Sequence, residues 1–199
     1  VLLCVPLRYR RFPGTVLCPP LPAGVETLRP ARDRGPATKA LAPARHLAGT
    51  GARLVYCDDD WIYGPGWLAA LAAGPADAVC AGAGFAVRAL RRRPSRAPGS
   101  ETDIAMGFAG VAVSPDMVPP RARDVPEEAF AVDDVWLSGH YAAQGLPVRL
   151  CPAARAACTP RSLPGPELQS STVMARDRAA AHAACVEVLH ARFGIWPPR

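Results

Sequence analysis

Three consecutive aspartates, Asp58, Asp59 and Asp60, directly follow an apolar run at 53–57. Carboxylates so close together repel, and each near-contact pair costs roughly 1 kcal/mol or more where water is partly excluded. A divalent cation reverses that repulsion, because Mg²⁺ and Mn²⁺ prefer oxygen ligands and often combine carboxylates with substrate phosphates. Alternate residues of an extended chain point the same way, so we expect Asp58 and Asp60 to face one metal site. An acidic turn before the helix that begins at Trp67 is the alternative.

A second acidic pair, Asp133 and Asp134, begins a predicted helix much further along the chain. Carboxylates in a first helical turn meet the positive end of the helix dipole. An ionised carboxylate within hydrogen-bond reach of a hydroxyl can also accept its proton. The pair is therefore a candidate general base, with simple capping of the helix as the alternative.

Basic residues and glycines supply the rest of the candidate chemistry. Lys39 is the only lysine of the chain, whose formal charge of +6 favours anionic partners. Nucleic acid, a phosphate-bearing small molecule and an anionic membrane surface all meet that condition. Gly107 and Gly110 interrupt an apolar segment at 104–113, where backbone without side chains can approach a ligand closely. The run Arg91–Arg93 suits a solvated loop, a phosphate contact or a peripheral membrane contact.

The composition limits the class of protein. A length of 199 residues with half of them apolar suits one domain with a buried core. The seven cysteines are odd in number and form no C-x-x-C pair, which argues against a zinc site and a disulfide framework. No apolar run is long enough to span a bilayer. These features predict a cytoplasmic protein, while an upstream signal or anchor before Val1 stays open.

The elements that must position these residues alternate along the chain. Apolar runs predict strands at 1–6, 15–18, 25–29, 53–57, 78–82 (continuing to 84–88) and 148–151. Helical patterns occupy 38–47, kinked or interrupted at Pro43, and 67–72, 132–143 and 175–193. The polar segment 91–103 is predicted to be a mobile flap. This alternation predicts an α/β fold with a mostly parallel central sheet, in which ligands bind beyond the carboxyl ends of the strands.

Several of these segments, in this order, resemble bacterial and viral glycosyltransferases of the GT-A type. The resemblance rests on the motifs D-R-G-P-A-T-K at 33–39, V-Y-C-D-D-D-W-I-Y-G-P at 55–65, G-F-A-G-V at 107–111, D-D-V-W-L-S-G at 133–139 and G-I-W at 194–196. The fourth motif looks like the counterpart of the xED motif of that family. Together they extend over nearly the whole chain. The region before the strand at 53–57, which leads to the three aspartates, is short. No separate acceptor-binding domain is visible.

The resemblance implies a fold, an activity and a set of site residues. It implies a single domain over 1–199 with a GT-A-like three-layer α/β/α sandwich. It also implies a Mn²⁺ or Mg²⁺ ion, a UDP-, GDP- or dTDP-sugar donor, a glycan or other hydroxyl acceptor, and no nucleic acid. Carried over motif by motif, the metal ligands are Asp58 and Asp60, the base of an inverting reaction is Asp134 beside Asp133, and the donor-binding residues are Asp58, Asp59, Arg34, Lys39, Gly107 and Gly110. Lys39 would contact phosphate or orient an acidic side chain.

Other assignments stay open at this stage. A metal-dependent nucleotidyl- or phosphotransferase uses similar acidic clusters, and a non-catalytic nucleotide-sugar-binding or nucleic-acid-binding domain is a further alternative. Trp61, Trp67 and Trp136 are candidates for stacking on a sugar, with Trp136 favoured because it lies near Asp134, and core packing is the alternative. His140 is interpreted as a structural histidine rather than a ligand.

Overall fold

The computed structural model of the protein describes residues 1–12, 14, 18, 20–161 and 172–199. The strand predicted at 15–18 lies outside these residues except for Cys18. Five helices and ten strands occur in the described part of the chain. In chain order they are β1 (Leu2–Cys4), β2 (Glu26–Leu28), α1 (Thr38–His46), β3 (Leu54–Tyr56), β4 (Trp61–Tyr63), α2 (Trp67–Ala72), β5 (Val79–Ala81), β6 (Gly84–Phe85), β7 (Ile104–Ala105), β8 (Val111–Val113), α3 (Asp133–Ala142), β9 (Val148–Leu150), α4 (Pro152–Ala156), β10 (Cys158–Pro160) and α5 (Arg178–Phe193).

A four-stranded sheet in the order β3-β8-β5-β9 forms the centre of the fold. Strand β8 is antiparallel to both β3 and β5, and β5 is parallel to β9. Three strands of this sheet therefore share one direction and the fourth opposes them. The expected α/β class is confirmed, but the sheets are small and mixed. Strands β1 and β2 form a separate parallel pair, and β4–β10 and β6–β7 form antiparallel pairs.

The register of the central sheet brings four chain segments to one edge. Tyr56 and Ala81 both pair with Val111, the first residue of β8, and Ala81 also pairs with Leu150. The carboxyl ends of β3, β5 and β9 and the start of β8 consequently lie side by side. The segments next to these ends are 57–60, 107–110, 82–84 and 151–156, and they line this edge in that order.

Apolar side chains cover both faces of the central sheet. One face contacts α1, α3 and α5 through a large cluster whose fully buried members include Leu41, Trp136, Tyr141, Leu189 and Trp196. The other face contacts α2 and α4 through a smaller cluster of Leu71, Ala78, Cys80, Ala112 and Ala154. Neighbouring residues of β5 and β8 divide between the two clusters because successive side chains of a strand point to opposite faces. This packing explains why both strands are apolar throughout.

Several local expectations fail. Helix α1 continues through Pro43 instead of being interrupted there. Strand β1 is only half-buried, and among the described residues it pairs with β2 alone. The residues after β5 do not extend that strand, because Gly84–Phe85 turns away to pair with Ile104–Ala105 and is followed by a 3₁₀ turn at Val87–Leu90. Strand β4 was not predicted, since its partner β10 lies far along the chain.

The segment 91–103, which the sequence predicts to be a mobile flap, makes several side-chain contacts with its surroundings. Asp103 is 4% exposed and forms an ion pair with Arg96 at 2.7 Å. Ser100 and Glu101 accept hydrogen bonds from the backbone of β9. Arg92 is also buried and forms an ion pair with Glu187, whereas its neighbours Arg91 and Arg93 are exposed. Among the described helices, none combines the length and the apolar character needed to cross a bilayer.

Candidate functional site

Lys39 joins the two acidic segments. Its Nζ atom lies 2.6 Å from Oδ1 of Asp58 and 2.5 Å from Oδ2 of Asp133. Lys39 is the second residue of α1, Asp58 follows β3 by two residues, and Asp133 begins α3. The hydroxyls of Tyr56 and Tyr141, 3.1 Å apart, join β3 to α3 beside this contact. The Lys39 ammonium group therefore bridges two carboxylates, those of Asp58 and Asp133, which lie far apart in the sequence.

Asp134 lies next to this bridge and is held by backbone. Its Oδ1 atom accepts a hydrogen bond of 2.8 Å from the Gly107 N–H. A Cβ atom at Gly107 would lie 2.9 Å from Cε of Lys39 and 3.3 Å from Oδ1 of Asp134. The absence of a side chain at Gly107 therefore leaves room for Lys39 and Asp134 to approach closely. Gly107, Lys39, Asp58, Asp133 and Asp134, all named from the sequence, form one cluster, which we call the acidic cluster.

The surroundings of the acidic cluster raise the pKa values of Asp134, Asp58 and Lys39. Burial, followed by the negative charge of Asp133, raises the pKa of Asp134 to about 7. Burial also raises the pKa of Asp58, although the Lys39 ammonium group opposes this effect. Burial alone would lower the pKa of Lys39, but Asp133, Asp58 and Asp134 more than offset it, so the pKa lies above its ordinary value. Asp134 can therefore exchange a proton near neutral pH.

Tyr63 fixes the aspartate segment relative to the glycine segment. Its hydroxyl lies 2.8 Å from the carbonyl oxygen of Asp58 and 3.0 Å from that of Phe108. Its ring packs on Trp67 at a centroid distance of 4.3 Å. Sequence reasoning did not identify Tyr63, whose signal was only its position shortly after the aspartates.

Asp59 and Asp60 are exposed beside the acidic cluster. Within the described ranges, neither carboxylate accepts a hydrogen bond or forms an ion pair. Asp58 has one carboxylate oxygen paired with Lys39, so a metal held by Asp58 and Asp60 would take its remaining ligands from water or a phosphate-bearing ligand, as Mg²⁺ commonly does. No group of three or more His, Cys, Asp or Glu residues able to hold a metal occurs in the described part of the chain.

An arginine-rich cleft of about 410 Å³ lies where β1 ends and α1 begins. We call it the arginine cleft, and its basic residues are Arg8, Arg10, Arg32, Arg34 and Arg123. The Arg34 guanidinium donates to the carbonyl oxygen of Arg123 at 2.8 Å. Burial, followed by the neighbouring Arg32 and Arg123, lowers the pKa of Arg34. Such a concentration of positive charge favours a polyanionic ligand.

The arginine cleft extends towards the aspartate segment. Tyr9 lines the cleft, and burial, then the charges of Asp33 and Asp59, raise its pKa. Asp33 itself accepts hydrogen bonds from the backbone N–H groups of Arg10 and Gly35, which fixes the walls of the cleft. The sequence indicated Arg34 but missed the other arginines, because they are scattered along the chain and only folding collects them.

Three residues considered from the sequence lie apart from the acidic cluster. At Gly110, φ is +86° and a Cβ atom would lie 2.3 Å from the Trp67 ring, so the missing side chain makes room for packing. Trp136 is fully buried and donates to the carbonyl oxygen of Ala122, so it is not exposed to stack on a sugar. His140 is 1% exposed and lies between the rings of Trp136 and Phe193, as expected of a structural histidine.

Comparisons of the chain with protein families, with curated proteins and with solved structures found no match.

Proposed function

We propose that the chain is a metal-dependent glycosyltransferase with a GT-A-like three-layer fold in a single domain over 1–199. It would transfer a sugar from a nucleotide-sugar donor to an acceptor hydroxyl. The observation that carries the proposal is the bridge from Asp58 through Lys39 to Asp133, beside the half-buried carboxylate of Asp134. A metal-ligand candidate and a base candidate thus lie at the same sheet edge. Group transfer requires the donor and the acceptor to be held next to each other in this way.

Asp134 acts as the base in this proposal. The acceptor oxygen forms a bond to the anomeric carbon, and the bond from that carbon to the diphosphate breaks with its electron pair leaving on the phosphate. The acceptor hydroxyl loses its proton to the Asp134 carboxylate, with inversion at carbon. The pKa of about 7 suits this role, because a base works best when its pKa lies near the working pH.

The donor binds between the arginine cleft and the exposed aspartates. Arg34 and its neighbouring arginines would contact the diphosphate, and the volume of about 410 Å³ suits part of a nucleotide. A Mg²⁺ or Mn²⁺ ion held by Asp58 and Asp60, when bound, supplies positive charge that stabilises the leaving diphosphate. Lys39 orients Asp58 and Asp133 rather than contacting phosphate, since carboxylates already occupy its ammonium group.

A panel of UDP-, GDP- and dTDP-sugars tests this proposal. Each donor is incubated with and without Mn²⁺ or Mg²⁺, and nucleoside diphosphate release is measured. We expect metal-dependent release from at least one donor. Release of nucleoside monophosphate or pyrophosphate instead would indicate the nucleotidyl- or phosphotransferase alternative. Absence of release and of binding across the panel would refute the proposal.

Two variants assign the roles in the active enzyme. Asp134→Asn keeps an oxygen for the Gly107 N–H but cannot accept a proton, so transfer should be lost while donor binding persists. Asp60→Ala should lose the metal dependence of release. The exposed residues Asp116 and Asp77, which make no side-chain hydrogen bond in the described structure, provide the controls Asp116→Asn and Asp77→Ala. If Asp134→Asn transferred sugar normally, the assignment of the base would be wrong.

The arginine cleft is tested by nucleotide affinity. Arg34→Gln should weaken binding of the nucleoside diphosphate about tenfold, because charge-assisted contacts to phosphate are among the stronger hydrogen bonds. Arg88→Gln removes an exposed arginine from the 3₁₀ turn after β6 and should change nothing. Equal affinities in the two variants would exclude Arg34 from the donor site.

A further inference from the structure

A second pocket lies at the same sheet edge, on the side away from Asp58. It has a volume of about 440 Å³ and lies beyond the ends of β5 and β9. Its walls are Gly82, Ala83, Leu150, Pro152 and Ala156, with Arg155 of α4 as their only charged neighbour in the lining. Leu150 is 38% exposed, which is high for a large apolar side chain at a sheet end. The pocket is therefore an apolar surface with one cation at its side.

Arg155 also lies against two aromatic rings that lead to the acidic cluster. Its guanidinium carbon is 5.5 Å from the centroid of Trp61 and 5.3 Å from that of Phe108. The two rings pack on each other at 4.5 Å and are each half-buried. Phe108 follows Gly107, which holds Asp134 through its N–H group. A molecule that contacts these rings would thus lie next to the proposed base.

The charge of Arg155 is not neutralised within the described structure. Its guanidinium makes one hydrogen bond, from Nη1 to the carbonyl oxygen of Cys158 at 3.3 Å, and it forms no ion pair with a described carboxylate. The side chain is exposed, and stacking on aromatic rings leaves the edge of the guanidinium plane available for further hydrogen bonds. This edge matches a planar carboxylate or a phosphate, which bind arginine through two parallel bonds.

We propose that this pocket binds the acceptor, and that the acceptor is a sugar with an anionic substituent that pairs with Arg155. The apolar face of the sugar ring packs on Leu150 and Pro152 of the pocket wall. Its carboxylate or phosphate meets the Arg155 guanidinium group, which itself lies against Trp61 and Phe108. The proposal rests on the proposed function in placing this ligand as acceptor. The order of segments along the sheet edge supports it, because the donor residues follow β3 and the pocket follows β5 and β9.

A binding experiment that needs neither donor nor turnover tests the proposal. The probes are methyl β-D-glucuronide, its uncharged methyl ester and glucose 6-phosphate, which separate a carboxylate from a phosphate and both from a neutral sugar. The readout is the Trp61 indole N–H signal in a proton–nitrogen NMR spectrum, identified by its loss in Trp61→Phe. We expect at least one anionic sugar to move this signal and the ester to bind about tenfold more weakly.

Three variants separate charge from packing. Arg155→Gln should remove the difference between acid and ester, and Arg155→Lys should retain most of it. Trp61→Leu, read from the ligand signals, should reduce the difference, because the Trp61 ring packs against the Arg155 guanidinium group. Arg149→Gln is the matched control, since Arg149 is likewise exposed and donates to a backbone carbonyl, that of Gly99. The proposal is overturned if neither anionic sugar moves the Trp61 signal. It is also overturned if the ester binds as well as the acid while the phosphate does not bind. Binding by Arg155→Gln that equals binding by the unchanged protein would overturn it as well.

The two proposals fail in distinguishable ways. A nucleotide-sugar panel without release, combined with anion-dependent movement of the Trp61 signal, would leave an anionic-sugar site on a protein that is not a glycosyltransferase. Release from a donor, combined with an unmoved Trp61 signal, would retain the transferase and reject this acceptor class.

Discussion

Lys39 and Asp133 form an ion pair of 2.5 Å although 94 positions separate them in the chain. The same ammonium group contacts Asp58, so a single cation stabilises two carboxylates that would otherwise repel each other. Both contacts are largely shielded from water, where unpaired charges are costly. The only lysine of the chain is therefore a central element of the site and of the folded state.

Replacing Lys39 should destabilise the protein. Lys39→Met leaves Asp58 and Asp133 close together without a partner, and we expect a loss of roughly 3–5 kcal/mol in the free energy of unfolding. Arg45→Met, an exposed change on the same helix, should cost less than about 1 kcal/mol. Urea denaturation of both variants at pH 8 measures the difference. Equal stability of the two variants would show that the bridge contributes little.

Gly107→Ala should reduce activity far more than stability. The added Cβ atom would lie 2.9 Å from Cε of Lys39, and this flexible end can move at modest cost. Its movement would disturb the contacts to Asp58 and Asp133, and displacements near 1 Å can lower a rate about 100-fold. Gly64→Ala, whose Cβ atom would lie 3.3 Å from the carbonyl oxygen of Ala157, serves as a control outside the acidic cluster. Steady-state rates and melting temperatures are compared, and an active Gly107→Ala variant would contradict the expectation.

The pH dependence of activity should report Asp134. Its pKa in the free protein is raised to about 7, first by burial and then by Asp133. Because the base must be ionised, kcat/KM should fall as pH drops below about 7. In Asp133→Asn the neighbouring negative charge is absent and Lys39 remains, so the acid limb should move to lower pH. A profile of kcat/KM from pH 5 to 9 for both proteins measures this shift, and a limb that moved upward would contradict the assignment.

Much of the site was predictable because its residues occupy the ends of strongly patterned elements. The apolar run before Asp58 and the helical pattern after Asp133 place both residues at element boundaries, and the alternation of strands and helices places those boundaries at one sheet edge. The partner of Lys39 was not predictable, since nothing local distinguishes a phosphate contact from a carboxylate contact. That distinction depends on how α1 packs against β3 and α3.

The arginine cleft and the aromatic pair could not be predicted, for a related reason. Arg8 and Arg123 come together only through the packing of loops, which have no periodic pattern. Trp61 and Phe108 meet where the Tyr63 hydroxyl of β4 contacts the Phe108 carbonyl oxygen, and a contact between segments so distant in the chain leaves no local signature. The mixed direction of the sheet was missed because an apolar strand between two others looks the same in either direction.

His140 should make the protein less stable in mild acid. Burial, together with Arg121 and Arg192, lowers its pKa to about 4, whereas in the unfolded chain it would titrate near 6.5. Between these values the unfolded state binds a proton that the folded state does not, so the contribution of His140 to stability is complete above about pH 6.5 and decreases as pH falls towards 4. The full effect is about 3–4 kcal/mol.

The variant His140→Leu isolates this contribution. Both ring nitrogens of His140 are buried and have no hydrogen-bond partner among the described residues, so leucine should also stabilise the protein at neutral pH, by about 1–2 kcal/mol. His182, whose pKa is also lowered to about 4, and Asp134, whose raised pKa acts in the opposite sense, titrate in the same window. The measured quantity is therefore the difference in unfolding free energy between the variant and the unchanged protein from pH 4 to 8. This difference should grow steadily as pH falls below 6.5, because the variant lacks only the titration of His140. A difference that is independent of pH would mean that His140 takes up its proton without unfolding.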